Sequence, residues 1–323
     1  MRVLSLVAAS LLLTIQAASA SEPWPGGRPL KFEVGSAAGG VLDLVPRVLS
    51  DYLTASLGVP VVEENRPGAG GNIAAGTVAK AEPDGHSLLV TGSNLAVNPT
   101  LLPDPGFDYG RDLTPVSMLL LPEELLVAAP AFPAKNITDV IAIARRKPKS
   151  VSIAISPIGT PNHLAAEMLA QYGNIDLTFV PYDGIAQSMP DLIASRVDLA
   201  VGTMAALLPQ IQSGALRALA VLSPQRSTLA PDIPTSAEAG LPAMQIGGWI
   251  CVMTTGGTPK PIIARLDREF GKALDVPEIR AAFAKRGIKI FYLDSQHLGE
   301  FIQTEAARYS GLLQHSRVKA TSR

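Results

Sequence analysis

Two rhythms of apolar and polar positions interleave along this chain of 323 residues. Short β-branched runs bounded by Gly, Pro or Asp predict strands over 31–34, 59–63, 87–91, 125–129, 151–155, 177–181, 199–202, 217–222, 250–254 and 289–293. Helical spacing fills the gaps between them. Leu44, Val45, Val48, Leu49, Tyr52, Leu53 and Leu57 follow a 3.6-residue period, and Gly58 stops it. Pro46 is compatible with that helix if it starts between Gly40 and Asp43, because first-turn N–H groups have no intrahelical acceptor. Longer helices are predicted over 261–274 and 295–313. Strand–helix alternation of this kind predicts α/β architecture with mostly parallel sheets. The length favours two α/β lobes over one sheet. We expect one lobe from 21–124 and 245–323 and the other from 125–244, with a ligand cleft between them.

The first residues follow a different pattern. Met1 and Arg2 precede an apolar run to Ala18, and Ala18-Ser19-Ala20 has the small-x-small form of a signal-peptidase site. Residues 1–20 therefore read as a cleaved signal peptide, which predicts an exported, periplasmic chain. No later apolar run reaches spanning length.

Composition narrows the partners. Basic and acidic residues balance at 27 and 28, which argues against nucleic-acid binding. Aromatic residues make up 5%, too few for base-stacking platforms. His86, His163, His297 and His315 share no metal-ligand spacing with one another or with Cys251, and neither a metal nor a cofactor is expected. Cys251 is the only cysteine and lies in the apolar stretch WICVM, so it reads as a buried structural thiol. The chain is expected to be a monomer.

Three glycine-bearing loops carry the candidate chemistry. Residues 34–47, VGSAAGGVLDLVPR, place Gly39 and Gly40 before a helix start, where free N–H groups and the helix dipole favour an anion. A nucleotide loop would need GxGxxG or GK[ST], and Asp43 would repel polyphosphate; a plain turn with Asp43 as its cap is the competing reading. Residues 65–72, NRPGAGGN, resemble a phosphate loop in composition only and read as backbone shaping. Residues 156–163, SPIGTPNH, end a strand and start a helix with Thr160 as N-cap and Pro161 as first residue. Ser156, Thr160 and the first-turn N–H groups make this a second anion-ready start. Ser156 beside His163 also admits a secreted hydrolase, although no GxSxG elbow or orienting acid accompanies them.

In order along the chain, AAGGVLDLVPR, VVEENRPGAGGNIAAGTVAKAEPDGHSLL, NLAVNPTL, FDYGRDLTPVSML, SPIGTPNHLAAEML, GALRALAVLSPQRSTLAPDIPTSAEAGLP and GGTPKPIIARL resemble the Bug receptors, the extracytoplasmic solute-binding proteins of tripartite tricarboxylate transporters. The resemblance implies a type II periplasmic-binding-protein fold that closes on a small organic carboxylate and presents it to transporter membrane subunits. It maps ligand binding onto Ser36, Ala37, Ala38, Gly39, Gly40 and Asp43 in the first loop. In the second it maps onto Ser156, Gly159, Thr160 and His163. Asn94, Asn98 and Tyr182 follow more loosely. The same fold also serves sensing receptors that hand a closed form to a membrane signalling protein. Four positions depart from the family pattern: Gly35-Ser36 in place of Pro and an aromatic residue, Val41, Asp183 and Cys251. Ser36 opens space and Asp183 weakens a second anion site. These departures predict a ligand with one firmly held carboxylate and a bulkier or less charged remainder, such as an aromatic acid.

Overall fold

The chain builds two sheets and passes between them twice. The computed structural model describes residues 24–102, 104–156 and 159–314; the expected signal peptide and His315 lie outside them. The first sheet's lobe opens with β1 (Leu30–Val34), α1 (Val41–Leu57), β2 (Val61–Asn65), α2 (Asn72–Ala79), β3 (Ser87–Gly92), α3 (Asn94–Leu101) and β4 (Leu113–Pro122). The chain then crosses into β5 (Glu124–Ala128), α4 (Ile137–Arg146), β6 (Ser152–Ile155), α5 (Pro161–Tyr172), β7 (Thr178–Pro181), α6 (Ile185–Ile193), β8 (Leu199–Thr203), α7 (Met204–Gln212) and β9 (Arg217–Val221). It returns as β10 (Ile250–Thr255), α8 (Lys260–Asp275), α9 (Pro277–Ala284), β11 (Ile288–Leu293) and α10 (Ser295–Gln314).

The strand orders are β11-β4-β10-β3-β1-β2 and β7-β6-β8-β5-β9. Parallel pairing joins β1 to β2 and β3, and β6 to β7 and β8. The remaining ladders are antiparallel: β10 with β3 and β4, β11 with β4, and β5 with β8 and β9. The sheets are thus mixed rather than mostly parallel. A strand arriving from the other lobe starts at the end where the strands of the βα units finish, so it must run against them.

Two local expectations also change. β4 was not among the predicted strands. Its sequence LTPVSMLLLP carries two prolines and no alternation, yet it lies between β10 and β11. The ladder to β10 slips next to the Met253–Pro115 pair, where proline has no N–H to give. In α1, Pro46 lies in the second turn rather than the first, and the helix forgoes one backbone hydrogen bond there. Gly58 closes α1 at φ +70°, with its N–H on the Thr54 carbonyl.

Amphipathic packing fixes these layers. Under the first sheet, α1, α8 and α9 bury Phe32, Leu49, Leu53 and Phe270; Phe32 and Phe270 meet with ring centroids 6.2 Å apart. Each such side chain contributes about 1.5–3 kcal/mol on leaving water. A second cluster is continuous across both sheets and includes Leu298, Tyr309 and Leu312 of α10. That helix packs on α3 and β4 of one lobe and α5 of the other, and Gln171 Nε2 donates to the Leu312 carbonyl at 3.0 Å. No helix among the described residues is long and apolar enough to cross a membrane.

Candidate functional site

Among the helices that start beyond strand ends are α1, α2 and α3 in one lobe and α5, α6 and α7 in the other. Each start carries backbone N–H groups without helical acceptors, together with the positive end of the helix dipole. What each start can bind depends on how many of those groups the protein uses itself.

The loop before α1 leaves them open. Gly39 turns at φ +82°, Gly40 is the N-cap residue, and no side chain caps the helix. Ala37, Ala38 and Gly39 are exposed, while Ser36 and Gly40 are half-buried. Asp43 is 1% exposed and faces the loop from below. Its carboxylate accepts from Gly39 N at 2.8 Å, Arg47 Nε at 2.8 Å and Asn65 Nδ2 at 2.9 Å. The Arg47 hydrogen bond, helped by those from Gly39 and Asn65, holds this carboxyl down to about 2 against the opposing effect of burial. Asn65 also donates to the Ser36 carbonyl at 3.1 Å, and Arg47 pairs with Glu63 at 2.7 Å. Asp43 therefore braces the glycine turn, with its oxygens already engaged. Gly35 packs closely on the glycine-rich loop: a β-carbon there would lie 3.3 Å from the Gly71 α-carbon, and that backbone would have to yield by a few tenths of an ångström.

The neighbouring start, α3, is also uncapped. Asn94 is half-buried, and Asn98 is 4% exposed and faces inward. Asn98 Nδ2 donates to the Gly70 carbonyl at 3.0 Å and to Asn72 Oδ1 at 2.8 Å, an oxygen that Tyr109 also approaches at 2.7 Å. The NRPGAGGN loop is thus tied to α3, consistent with its reading as backbone shaping.

The loop before α5 is built differently. Gly159 has φ +87°, and its N–H donates to His163 Nδ1 at 3.3 Å. The ring proton is thereby assigned to Nε2, which lies 3.6 Å from Glu167 Oε1. His163 and Glu167 are both fully buried. Thr160 caps the helix by accepting from His163 N at 3.4 Å, and Pro161 has no N–H. Asn162 Nδ2 is anchored on the Val201 carbonyl. Of the α5 first turn, only the Asn162 N–H is left for a ligand. Nδ1 of His163 is taken by the Gly159 N–H and Nε2 is buried 3.6 Å from Glu167, so no hydrogen bond joins the ring to Ser156 among the described residues. Ser156 itself is half-buried.

The other two starts in this lobe divide the same way. Thr203 caps α7 by accepting from Ala206 N, while α6 has no side-chain cap but follows the exposed Asp183. Tyr182 is half-buried, and its hydroxyl donates to Asp191 Oδ2 at 2.7 Å. Burial first, and then the Asp191 contact, push the phenol up to about 12.

The two jaws meet. A β-carbon on Gly159 would lie 3.0 Å from both Val97 Cγ1 and Leu101 Cδ1 of α3, so the α5 loop rests against the opposite lobe. No cluster of metal-ligating side chains occurs among the described residues. Asn65, Arg47, Asn72, Tyr109 and Asn162 are supports that sequence reasoning missed. Arg47, Asn65, Asn72 and Asn162 all lie within the three glycine-bearing segments, but their partners were not readable there; the strand pairing of Val34 with Asn65 is what brings Asn65 under Ser36.

Comparison with known proteins points to one family. A family model described as the tripartite tricarboxylate transporter family receptor, TctC, matches residues 45–318. Protein BugT of Bordetella pertussis is 34% identical over 307 residues, 94% of this chain and 94% of that protein. A solved R. palustris structure with adipate superposes with TM-score 0.81 at 28% identity, covering 90% of this chain and 98% of the other. MatC of Rhodopseudomonas palustris, with bound malate, gives TM-score 0.75 at 28% identity over 88% and 99% of the two chains.

Proposed function

Because the chain belongs to the tripartite tricarboxylate transporter receptor family, we propose that it captures a small organic carboxylate between its lobes and delivers it to the membrane subunits of such a transporter. It is a binding receptor, not an enzyme. We take 21–124 with 245–323 as one closing unit and 125–244 as the other, in an exported, periplasmic monomer.

One observation carries the reading. Two adjacent helix starts in the first lobe, α1 and α3, have no side-chain caps, and the self-satisfied α5 loop closes against them. A carboxylate oxygen accepts from such N–H groups without a buried cation beside it, which suits reversible capture. Polar clefts of this kind routinely include bridging water. In this scheme Ser36–Ala38, the uncapped first turn of α1 and Asn94 grip the carboxylate, the Gly39 and Gly40 N–H groups being spent on Asp43 and the Ala37 carbonyl, and Ser156, Thr160 and the Tyr182 ring border the remainder. Asp43, Asn98 and His163 hold those groups in place. The exposed Asp183 beside α6 disfavours a second anionic group, which points to one held carboxylate and a less charged remainder. The adipate and malate bound to the two R. palustris proteins support the carboxylate class.

Calorimetric titration with benzoate, adipate and citrate tests this, together with native mass spectrometry for a retained ligand. Benzoate should bind at least tenfold tighter than citrate, with adipate between them. Tighter citrate binding overturns the choice of remainder. A retained ligand without a carboxylate overturns the class.

A further inference from the structure

A second cavity, of about 850 Å³, lies behind the crossing strands. In the first sheet β3, β1 and β2 lie to one side of the crossing pair β4 and β10, and β11 lies to the other. The α1, α3 and α5 loops belong to the β3 side. The cavity belongs to the β11 side. Its floor is the two crossing segments, at 121–123 and 245–249. One wall is the end of α9 with β11, and the other is the segment 222–229 that follows β9. The walls therefore belong to different lobes. The volume falls within the range of roughly 300–1,000 Å³ usual for small-molecule sites.

The lining has a definite chemistry. Trp249 and Phe301 meet edge to face at 5.5 Å in one part of it. Phe291 on one wall and Leu229 on the other are 38% and 42% exposed, so each wall offers apolar surface to the cavity. Arg226, Arg280, Lys289 and Arg308 line the cavity against only Glu123 and Glu305, in a chain whose net charge is −1. Arg226 is held by Glu238, Arg308 by Glu305, and Arg280 lies 3.6 Å from Asp275. Lys289 has no ion-pair partner among the described residues. The indole N–H of Trp249 likewise has no acceptor among the described residues.

We propose that this cavity is a second ligand site for a small amphipathic anion. The alkyl or aryl body lies against Trp249, Phe291 and Leu229, and the anionic head meets Lys289. Because the walls move with different lobes, the occupant prefers one inter-lobe angle. It is then coupled, with equal and reciprocal effect, to whatever binds the cleft. The coupling rests on the proposed receptor function; the site does not.

The chain has two tryptophans, so Trp24→Phe leaves Trp249 as the sole indole reporter. Decyl sulfate, added below its micellar range, should change the emission of that variant saturably. Lys289→Glu, at an exposed position, should weaken the binding at least tenfold, and Ala284→Phe, which fills the cavity from α9, should abolish it. Thermal melts of the ligand-free variants verify folding. Absence of saturable binding at millimolar decyl sulfate overturns the proposal, and so does binding that survives both substitutions. Adipate titration of Ala284→Phe separates the two sites. Adipate binding retained where decyl sulfate binding is lost establishes two sites. Decyl sulfate binding to the Trp24→Phe protein without any carboxylate binding leaves this site standing and removes the receptor reading instead.

Discussion

The loops before α1 and α5 share an outline: a strand end, a glycine in the left-handed region, and a helix start. Gly39 sits at φ +82° and Gly159 at φ +87°. Each glycine N–H goes to a side chain four residues on, Gly39 to Asp43 and Gly159 to His163, and it is the first turns of the two helices that differ. Before α1 the protein supplies a carboxylate beneath the turn, fastened by Arg47 and Asn65, and leaves the helix end uncapped. Before α5 the Gly159 N–H goes to His163, the His163 N–H goes to Thr160, and Pro161 has none. A glycine turn ahead of a helix is therefore insufficient to make an anion site. The deciding quantity is how many first-turn donors the protein leaves unused. Under the proposed function the α1 first turn has donors to offer, and the α5 loop presents a surface to close against.

The largest test of that contrast is His163→Ala. It removes a fully buried ring and the acceptor for Gly159 N, and should cost roughly 2–4 kcal/mol in urea unfolding. It should also weaken cleft binding. A change below 1 kcal/mol would show that the α5 loop does not depend on its buried histidine.

Asp43→Asn comes next and probes the ionic brace. The folded carboxyl is held at about 2 by Arg47, Gly39 and Asn65, below the unfolded value of about 3.9. A depressed carboxyl stabilises the fold above the unfolded value, and that stability is lost as pH falls toward the folded one. The native protein should thus exceed the variant by about 1–2 kcal/mol at pH 7, with the gap closing between pH 4 and pH 2. Thermal melts across that range measure it. A gap that is constant with pH would mean the brace acts by shape and not by charge.

The smallest effect should come from Thr160→Ala, which uncaps α5 and should cost about 0.5–1 kcal/mol. It also frees the His163 N–H. If the jaws differ through spent donors, this variant should lose stability without losing carboxylate affinity. A parallel loss of affinity would indicate that the Thr160 hydroxyl touches the ligand.

Much of this was legible locally. The strands with β-branched runs, the α1 period with its Gly58 stop, and the Thr160–Pro161 helix start all follow from neighbours in sequence. β4 did not, because Pro115 and an unbroken apolar run hide a strand that is fixed by partners far along the chain. Strand direction was misjudged because it depends on which end of a sheet a crossing strand enters. At the site, the loops were legible and their supports were not. Asn65 reaches Ser36 and Asp43 only through the β1–β2 register, and Asn162 reaches Val201 only across the second sheet. The inward placement of His163 was hidden too. Residues 163–170 are buried at every position, so the helix shows no exposed face against which a buried one could be recognised.

Cys251 is fully buried in β10, and burial pushes its thiol above the usual cysteine range. Reactivity toward alkylating dyes requires an accessible thiolate, which this residue does not present. It is also the only cysteine of the chain. A single cysteine introduced on the exposed rim, at Ala38 for instance, would then be the one labelling point of an otherwise native protein. If the chain closes on a carboxylate as proposed, a dye at that point would report the closure with no background thiol to engineer away.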